Sequence, residues 1–378
     1  MEKKVIETME KVPDPRKGNA IRHILSDILM IGLLTIICNG NGFAAMYIFG
    51  VEHEQTLKKF LKLPYGIPSQ DTFERVFAKL NPKTLSETFL QWVDEIKTSA
   101  SQDDRLLVSI DGKTLRGSKT ANKKAVHVVT AFASELRLVL GEVATDEKSN
   151  EITAIPKLLE MFCQKGMVIS IDAMGTQTDI AETIISAKAD YVLSVKGNQK
   201  TLHEDVATLM EHEVIPAGKD ALADINHYFC TTEKGHGRIE TRECYICPEV
   251  NWLSTADDWK GLAGFGMIIS KREELGKTPT TNIEYFIYSL KNASAEELLH
   301  IKRSHWAIEN NLHWTLDVVF REDDSRVRCD NAPEILNILR KQALQLMKDE
   351  DSFKASLTSK RYRCSLNLDY ALKVIGVK

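Results

Sequence analysis

The sequence has no surplus of positive charge. Its 49 Lys and Arg residues are outnumbered by 53 Asp and Glu, a net charge of −4, and the pI is near 6.2. This excludes a protein that coats a polyanion through its overall charge; any such contact must come from local patches. Long hydrophobic runs are missing too. The most apolar stretch, ILMIGLLTIIC at 28–38, ends after 11 residues and follows Asp27, which suits a buried helix and is too short for a membrane span. The opening MEKKVIETMEKV lacks the apolar centre of a signal peptide, so a cytoplasmic location without membrane contact is expected.

Cysteine is scarce, with seven residues at irregular spacing, which suits reduced thiols and excludes a disulfide framework. One segment, HYFCTTEKGHGRIETRECYIC, gathers His227, Cys230, His236, Cys244 and Cys247. RECYIC alternates like a strand, which turns Cys244 and Cys247 in directions ill suited to one zinc ion. A redox role for the same thiols would need a helix N-terminus or similar electropositive setting, and the flanking residues read as strand.

What is present is enough apolar material, 43% of 378 residues, for two or three domains with sizeable cores. Residues 1–100 read as helices near 21–38, 41–63, 70–80 and 83–98. IPSQDTFERVFAKLNP is the clearest, with Ser69 or Asp71 as cap, a stripe of Phe73, Val76, Phe77 and Leu80, and Pro82 as stop. From Arg105 the texture changes. Strands at 105–111, 125–134 and 136–145 form an antiparallel meander, followed by a helix at 151–164, a strand at 167–172, a helix at 178–188 and a strand at 190–198. That order implies an α/β fold, a mixed sheet flanked by helices. A helix near 201–212 leads into a β-rich segment at about 225–290, and helices return from Ala295. The organisation expected is a helical region to residue 100, a catalytic-type domain over 101–350 interrupted by the β-rich insertion, and a tail or helix over 351–378.

Three stretches carry acids in informative places. LLVSIDGKTLRGS (106–118) and MVISIDAMGTQ (167–177) both run an apolar strand into Ser-Ile-Asp and then a flexible, polar loop. Aspartate is a common turn-former, but Asp111 and Asp172 at the tips of neighbouring strands could also converge on a hard divalent cation, which needs oxygen ligands. In RSHWAIENNLHWTLDVVFREDDSRVR (303–328), Trp306, Glu309 and His313 fall at helical spacings of three and four, beside an apolar row of Ile308 and Leu312. Asp317 lies two turns on from Glu309, about 12 Å along the axis at ~1.5 Å per residue, too far to complete the same compact site. Glu322, Asp323 and Asp324 lie past Phe320 and read as a solvated or Arg-paired cluster with Arg321, Arg326 and Arg328.

Together these stretches resemble the DDE transposases of bacterial insertion sequences, most closely the H-repeat-associated family. The resemblance covers nearly the whole chain, through VPDPRKGNAIRHILSDIL, GIPSQDTFERVF, SIDGKTLRGS, ISIDAMGTQ, DYVLSVKGNQ, GHGRIETRE and HWAIENNLHWTLDVVFRED. It implies a ribonuclease H-like core in which Asp111, Asp172 and Glu309 are the catalytic, metal-binding triad, separated by 61 and 137 residues. It also implies metal-dependent DNA cleavage and strand transfer at transposon ends. Two ions ~3.5–4 Å apart would serve the attacking and leaving oxygens, with magnesium as cofactor and manganese as substitute.

Double-stranded DNA is the implied partner, at transposon ends and target, with a homodimer as the implied assembly and the N-terminal helices contributing to end recognition. Relatives often set Tyr, Arg and Lys around the glutamate; here the corresponding positions hold Lys302, His305 and Leu316, leaving Arg303, His305 and His313 for the basic role. Further phosphate contacts are expected from Lys113 and Arg116, from Lys196 and Lys200, and from His236, Arg238 and Arg242. The rival readings are a nuclease without strand transfer and a catalytically silent DNA-binding relic.

Overall fold

The computed structural model describes every residue except 1–4, 19–20, 98–104, 122–123, 137, 146–150, 236 and 378, with only the backbone described over 90–97. The chain opens with helices α1 (Val5–Glu10), α2 (Leu25–Ile37), α3 (Phe43–Glu52), α4 (Glu54–Leu57), α5 (Gln70–Lys79) and α6 (Pro82–Lys97). All 13 residues of α2 are buried, which accounts for its near-unbroken apolar run. Even Asp27 lies inside, where its carboxylate accepts the backbone N–H of Leu63 at 2.9 Å. Ser69 caps α5 by accepting from Thr72 N, and Phe73, Val76, Phe77 and Leu80 are buried as the stripe requires. The single helix expected over 41–63 is instead α3 and α4, joined at His53.

Nine strands form one sheet: β1 (Leu106–Thr114), β2 (His127–Ala133), β3 (Leu138–Thr145), β4 (Met167–Ile171), β5 (Asp190–Val195), β6 (Tyr228–Gly235), β7 (Arg238–Cys247), β8 (Gly264–Glu274) and β9 (Thr280–Tyr288). Their order is β3-β2-β1-β4-β5-β9-β8-β7-β6. β1, β2 and β3 are the expected antiparallel meander. β4 and β5 then lie parallel to β1 and to each other, reached through the crossover helices α7 (Glu151–Phe162) and α8 (Thr178–Ser186). After α9 (Lys200–Leu209) and α10 (Lys219–Asp224), the β-rich segment does not stand apart. β9 pairs antiparallel with β5, Ser194 opposite Phe286, so the segment prolongs the same sheet by four strands.

The last helices are α11 (Ala295–Ile308), α12 (Trp314–Val318), α13 (Ala332–Asp349), α14 (Leu357–Leu366) and α15 (Leu368–Val374). Strand alternation divides the core between the two sheet faces. Val108, Ile110, Ile169, Ile171, Tyr191 and Leu193 pack with α7, α8 and α9, while Leu107, Val168 and Val192 pack under Leu298, Leu299 and Ile301 of α11. Cys244 belongs to the second of these cores and Cys247 to the first, so the two thiols point to opposite faces. The helices before residue 100 share one hydrophobic core with α13, α14 and α15, and with Ile308, Leu312 and Leu316. No helix among the described residues is long and apolar enough to cross a membrane.

Candidate active site

Register places the first two acids. Ile110 pairs with Ile171 where the parallel β1–β4 ladder ends, so Asp111 and Asp172, the next residues along, stand side by side there; Asp172 follows the last residue of β4, whereas β1, expected to end at Asp111, runs on to Thr114 against β2. In open α/β sheets ligands bind at the carboxyl ends of parallel strands. Alternation puts Ser109, Asp111 and Lys113 of β1, Ser170 of β4 with Asp172 just beyond it, and Ser194 of β5 on the face covered by α11. Both aspartates also act as turn-formers: Asp111 accepts the N–H of Gly112 at 2.9 Å, and Asp172 Oδ1 accepts those of Met174 and Gly175 at 3.1 and 3.3 Å. The two roles suggested by the sequence coexist.

The covering helix turns polar as it crosses toward these strand ends. Lys302 is buried and donates to Ser194 Oγ at 2.5 Å, with Glu284 3.9 Å away. His305 Nδ1 lies 3.0 Å from Ser170 Oγ, and the carbonyl of Ser304 accepts from Ser109 and Ser134. The helix then widens into a π turn over Glu309–His313 before α12. The extra residue of a π turn shifts the helical phase. This corrects the shared face expected for Trp306, Glu309 and His313: Trp306 is 55% exposed and His313 only 3%. One donor atom from each of Asp111, Glu309 and His313 lies within 4.8 Å of the other two, the only such metal-compatible group among the described residues. His313 Nε2 is 3.5 Å from Asp111 Oδ2, too long for a good hydrogen bond. These donors are of the kind a divalent cation takes, so the site fits the implied metal. Asp172 stands beside this group and not within it.

The two aspartates are driven apart electrostatically. Burial alone would raise Asp111, but the neighbouring His313 and His305 and the Gly112 amide outweigh it and hold the carboxyl below its usual value. Burial, reinforced by the charges of Asp111 and Glu151, lifts Asp172 above its usual value despite its two amide donors. His305 is pushed down to about 4, first by burial and then by Lys302. Lys302 is itself lowered by burial.

The remaining expected residues scatter. Lys113 turns inward, 2.6 Å from Asp317 and 2.8 Å from Glu322, instead of toward a phosphate. Glu322 corrects the reading of a solvated cluster: it is 3% exposed and also meets Asn337 at 2.9 Å and Arg340 at 3.5 Å. Its neighbours fit the sequence expectation better, with Asp323 3.6 Å from Arg116 and Asp324 2.9 Å from Arg321. Arg242 pairs with Glu233 and Glu240, Arg238 with Glu240, and Arg303 with Glu233 at 2.7 Å. Lys196 and Lys200 are exposed. His236 lies outside the described residues. Leu316, at a position where the resemblance implies a basic residue, is fully buried.

Sequence reasoning missed a buried pair behind Asp111. His127 Nε2 sits 2.5 Å from Glu151, and its Nδ1 is 2.9 Å from Thr114 Oγ1. This pair explains Gly112, since a Cβ there would collide with both the Glu151 carboxylate and the His127 ring. Thr114 and His127 are opposed in the β1–β2 register, a signal that only the strand pairing supplies.

The family profile of the transposase DDE domain matches residues 102–346, and that of the DDE_Tnp_1-associated segment matches residues 6–93. The chain is 37% identical to the Escherichia coli (strain K12) protein named "H repeat-associated putative transposase YhhI", over 99% of this chain and 98% of that one. It is 38% identical to "Putative transposase YncI" of Escherichia coli O157:H7, over 98% and 94%. A solved piggyBac transposase synaptic complex with hairpin DNA aligns over 99% of this chain and 77% of that one, with 10% identity and a TM-score of 0.38; that is too distant to carry over a fold or a function.

Proposed function

This chain belongs to the transposase DDE-domain family, beside its H repeat-associated members, and from that premise we propose that it cuts and joins DNA at the ends of a mobile element. Asp111, Asp172 and Glu309 are the catalytic carboxylates. The observation that carries this reading is the register of Ile110 with Ile171, which sets two aspartates side by side where the β1–β4 pairing ends, near Glu309, which shares a donor group with Asp111. The order β3-β2-β1-β4-β5 supports a ribonuclease H-like core. When bound, magnesium or manganese would activate the attacking oxygen and stabilise the departing one.

The chain's own residues supply the rest. Asp111, held ionised, is the primary ligand; Asp172 gives up its proton less readily and completes the site as positive charge arrives. Lys302 and His305 fix α11 over the strand ends through Ser194 and Ser170. In the first step, water oxygen attacks phosphorus and the P–O3′ bond breaks, freeing a 3′-hydroxyl. In the second, that hydroxyl attacks a target phosphodiester and displaces its 3′-oxygen. Exposed Lys196 is the best placed to meet a phosphate, with exposed Arg116 and Lys200 held only by long contacts to Asp323 and Glu204 at 3.6 and 3.9 Å, whereas Lys113, Arg238, Arg242 and Arg303 would first have to leave closer carboxylate partners. The N-terminal helices contribute to end recognition, and a second copy of the chain holds the paired ends in the cytoplasm.

The test incubates the full chain with DNA carrying the sequences that flank its gene, a target plasmid, and Mg2+ or Mn2+. Nicks ending in 3′-hydroxyl followed by joined products are expected. Nicks without joining would reduce the protein to a nuclease, and neither product under any metal would sink the proposal.

A further inference from the structure

His313 is one of the most deeply buried polar side chains of the site, 3% exposed, and neither ring nitrogen has a hydrogen-bond partner. A buried imidazole in that condition is uncommon in a folded protein and calls for an explanation. Its position offers one. Nε2 is 3.5 Å from Asp111 Oδ2, and Glu309, at the other end of the same π turn, has a donor within 4.8 Å of both. Two ligands on opposite sides of an ion bound at ~2.1 Å lie about 4.2 Å apart. The three donors therefore need to close by only a fraction of an ångström around one cation. Single π turns recur at functional sites because they re-aim side chains, and this one brings an acid and an imidazole to the same aspartate.

We infer that His313 is a nitrogen ligand of the metal held by Asp111 and Glu309, so that this site is a two-carboxylate, one-imidazole centre suited to Mn2+ more than to Mg2+. The inference rests on the proposed triad and adds a ligand that a reading in terms of three carboxylates omits. Imidazole suits borderline transition ions, while Mg2+ prefers oxygen and keeps its waters. Asp172, outside the donor group and tied to two backbone amides, then belongs to the second ion and not to this one.

The test needs no DNA. Mn2+ added to the full chain is examined by electron spin-echo modulation, with and without 15N-histidine labelling, and its affinity is measured by titration beside that of Mg2+. The wild type should show nitrogen modulation that changes with the label. His313→Asn should abolish the modulation and weaken Mn2+ binding about tenfold or more, at least the loss seen when a ligand's supporting group is removed, with a smaller change for Mg2+. Asp172→Asn should keep the modulation. If His313→Asn fails to fold, the labelled wild type still separates a nitrogen ligand from an all-oxygen site. Mn2+ bound in an Asp111-dependent way without nitrogen modulation would overturn the inference and leave the triad standing. No Mn2+ bound at millimolar concentration would overturn both.

Discussion

Asp111 and Lys113 stand two residues apart on one face of β1 and end in opposite surroundings. Lys113 is enclosed by Asp317 and Glu322, with Arg340 and Asn337 completing Glu322's shell. Asp111 faces His313, whose ring nitrogens have no hydrogen bond, and borders the raised carboxyl of Asp172 and the exposed Glu309. The first cluster is neutralised from within, as a buried ion network must be if it is to hold a fold. The second leaves the His313 nitrogens unpaired and the ionised form of Asp172 disfavoured, which costs stability and becomes useful when a cation arrives. Two polar clusters built on one strand are thus told apart by whether their charges balance, not by how polar they are.

The largest effect expected from breaking this contrast is on Asp111→Asn. Cleavage should fall by at least 10²–10³-fold, the scale seen when one group that stabilises transition-state charge is lost. The thermal midpoint should move little, because the change loses the contacts that hold Asp111 ionised while relieving its repulsion with Asp172. A large loss of stability would mean that Asp111 belongs to the structural class after all. Next comes Glu322→Ala, which strands buried Arg340 and leaves Lys113 with Asp317 alone. Urea unfolding should show a loss of about 3–5 kcal/mol, and a cost near zero would dissolve the comparison from the other side.

The pH dependence sharpens it further. Burial alone would raise Glu322, but Lys113 and Arg340 outweigh it and depress its carboxyl from 4.5 to about 2. A depressed carboxylate contributes stability above its unfolded value, and that contribution fades as pH falls through the folded one. The wild type should therefore lose stability between pH 4.5 and about 2 more steeply than Glu322→Gln, which has no such proton to take up. Equal slopes in parallel urea titrations would contradict the depressed value. Asp172, raised by burial, has the opposite sign, since its ionisation disfavours the fold.

What was legible in the sequence was local. The repeated Ser-Ile-Asp, the alternation that separates Cys244 from Cys247, and the capped stripe of α5 depend on neighbours within a few residues, and the periods of strand and helix expose them. The single sheet was not legible, because nothing in NIEYFIYSL states that β9 will pair with β5. Nor was the π turn: one added residue leaves no compositional mark, yet it separates Trp306 from His313. The shared core of the N-terminal helices with α13 depends on contacts far apart in the chain, and so does Glu322, whose partner Lys113 lies 209 residues away.

That last case yields the smallest expected effect. Glu322 and Asp324 sit two residues apart in REDDSR, and composition alone treats them alike. Glu322 points into the protein beneath α13; Asp324 meets Arg321 at 2.9 Å with both side chains more than half exposed. Water already solvates each partner of the exposed pair, and holding two mobile side chains together offsets much of the remaining attraction. Asp324→Asn should therefore change unfolding free energy by no more than about 0.5 kcal/mol, and added salt should erase even that. Measured beside Glu322→Ala in the same urea series, it asks whether position relative to the core, and not charge or sequence neighbourhood, decides what an acid contributes here. A loss at Asp324 comparable to that at Glu322 would mean that the loop after α12 acts as one cooperative ionic unit, and the division between the two acids would fail.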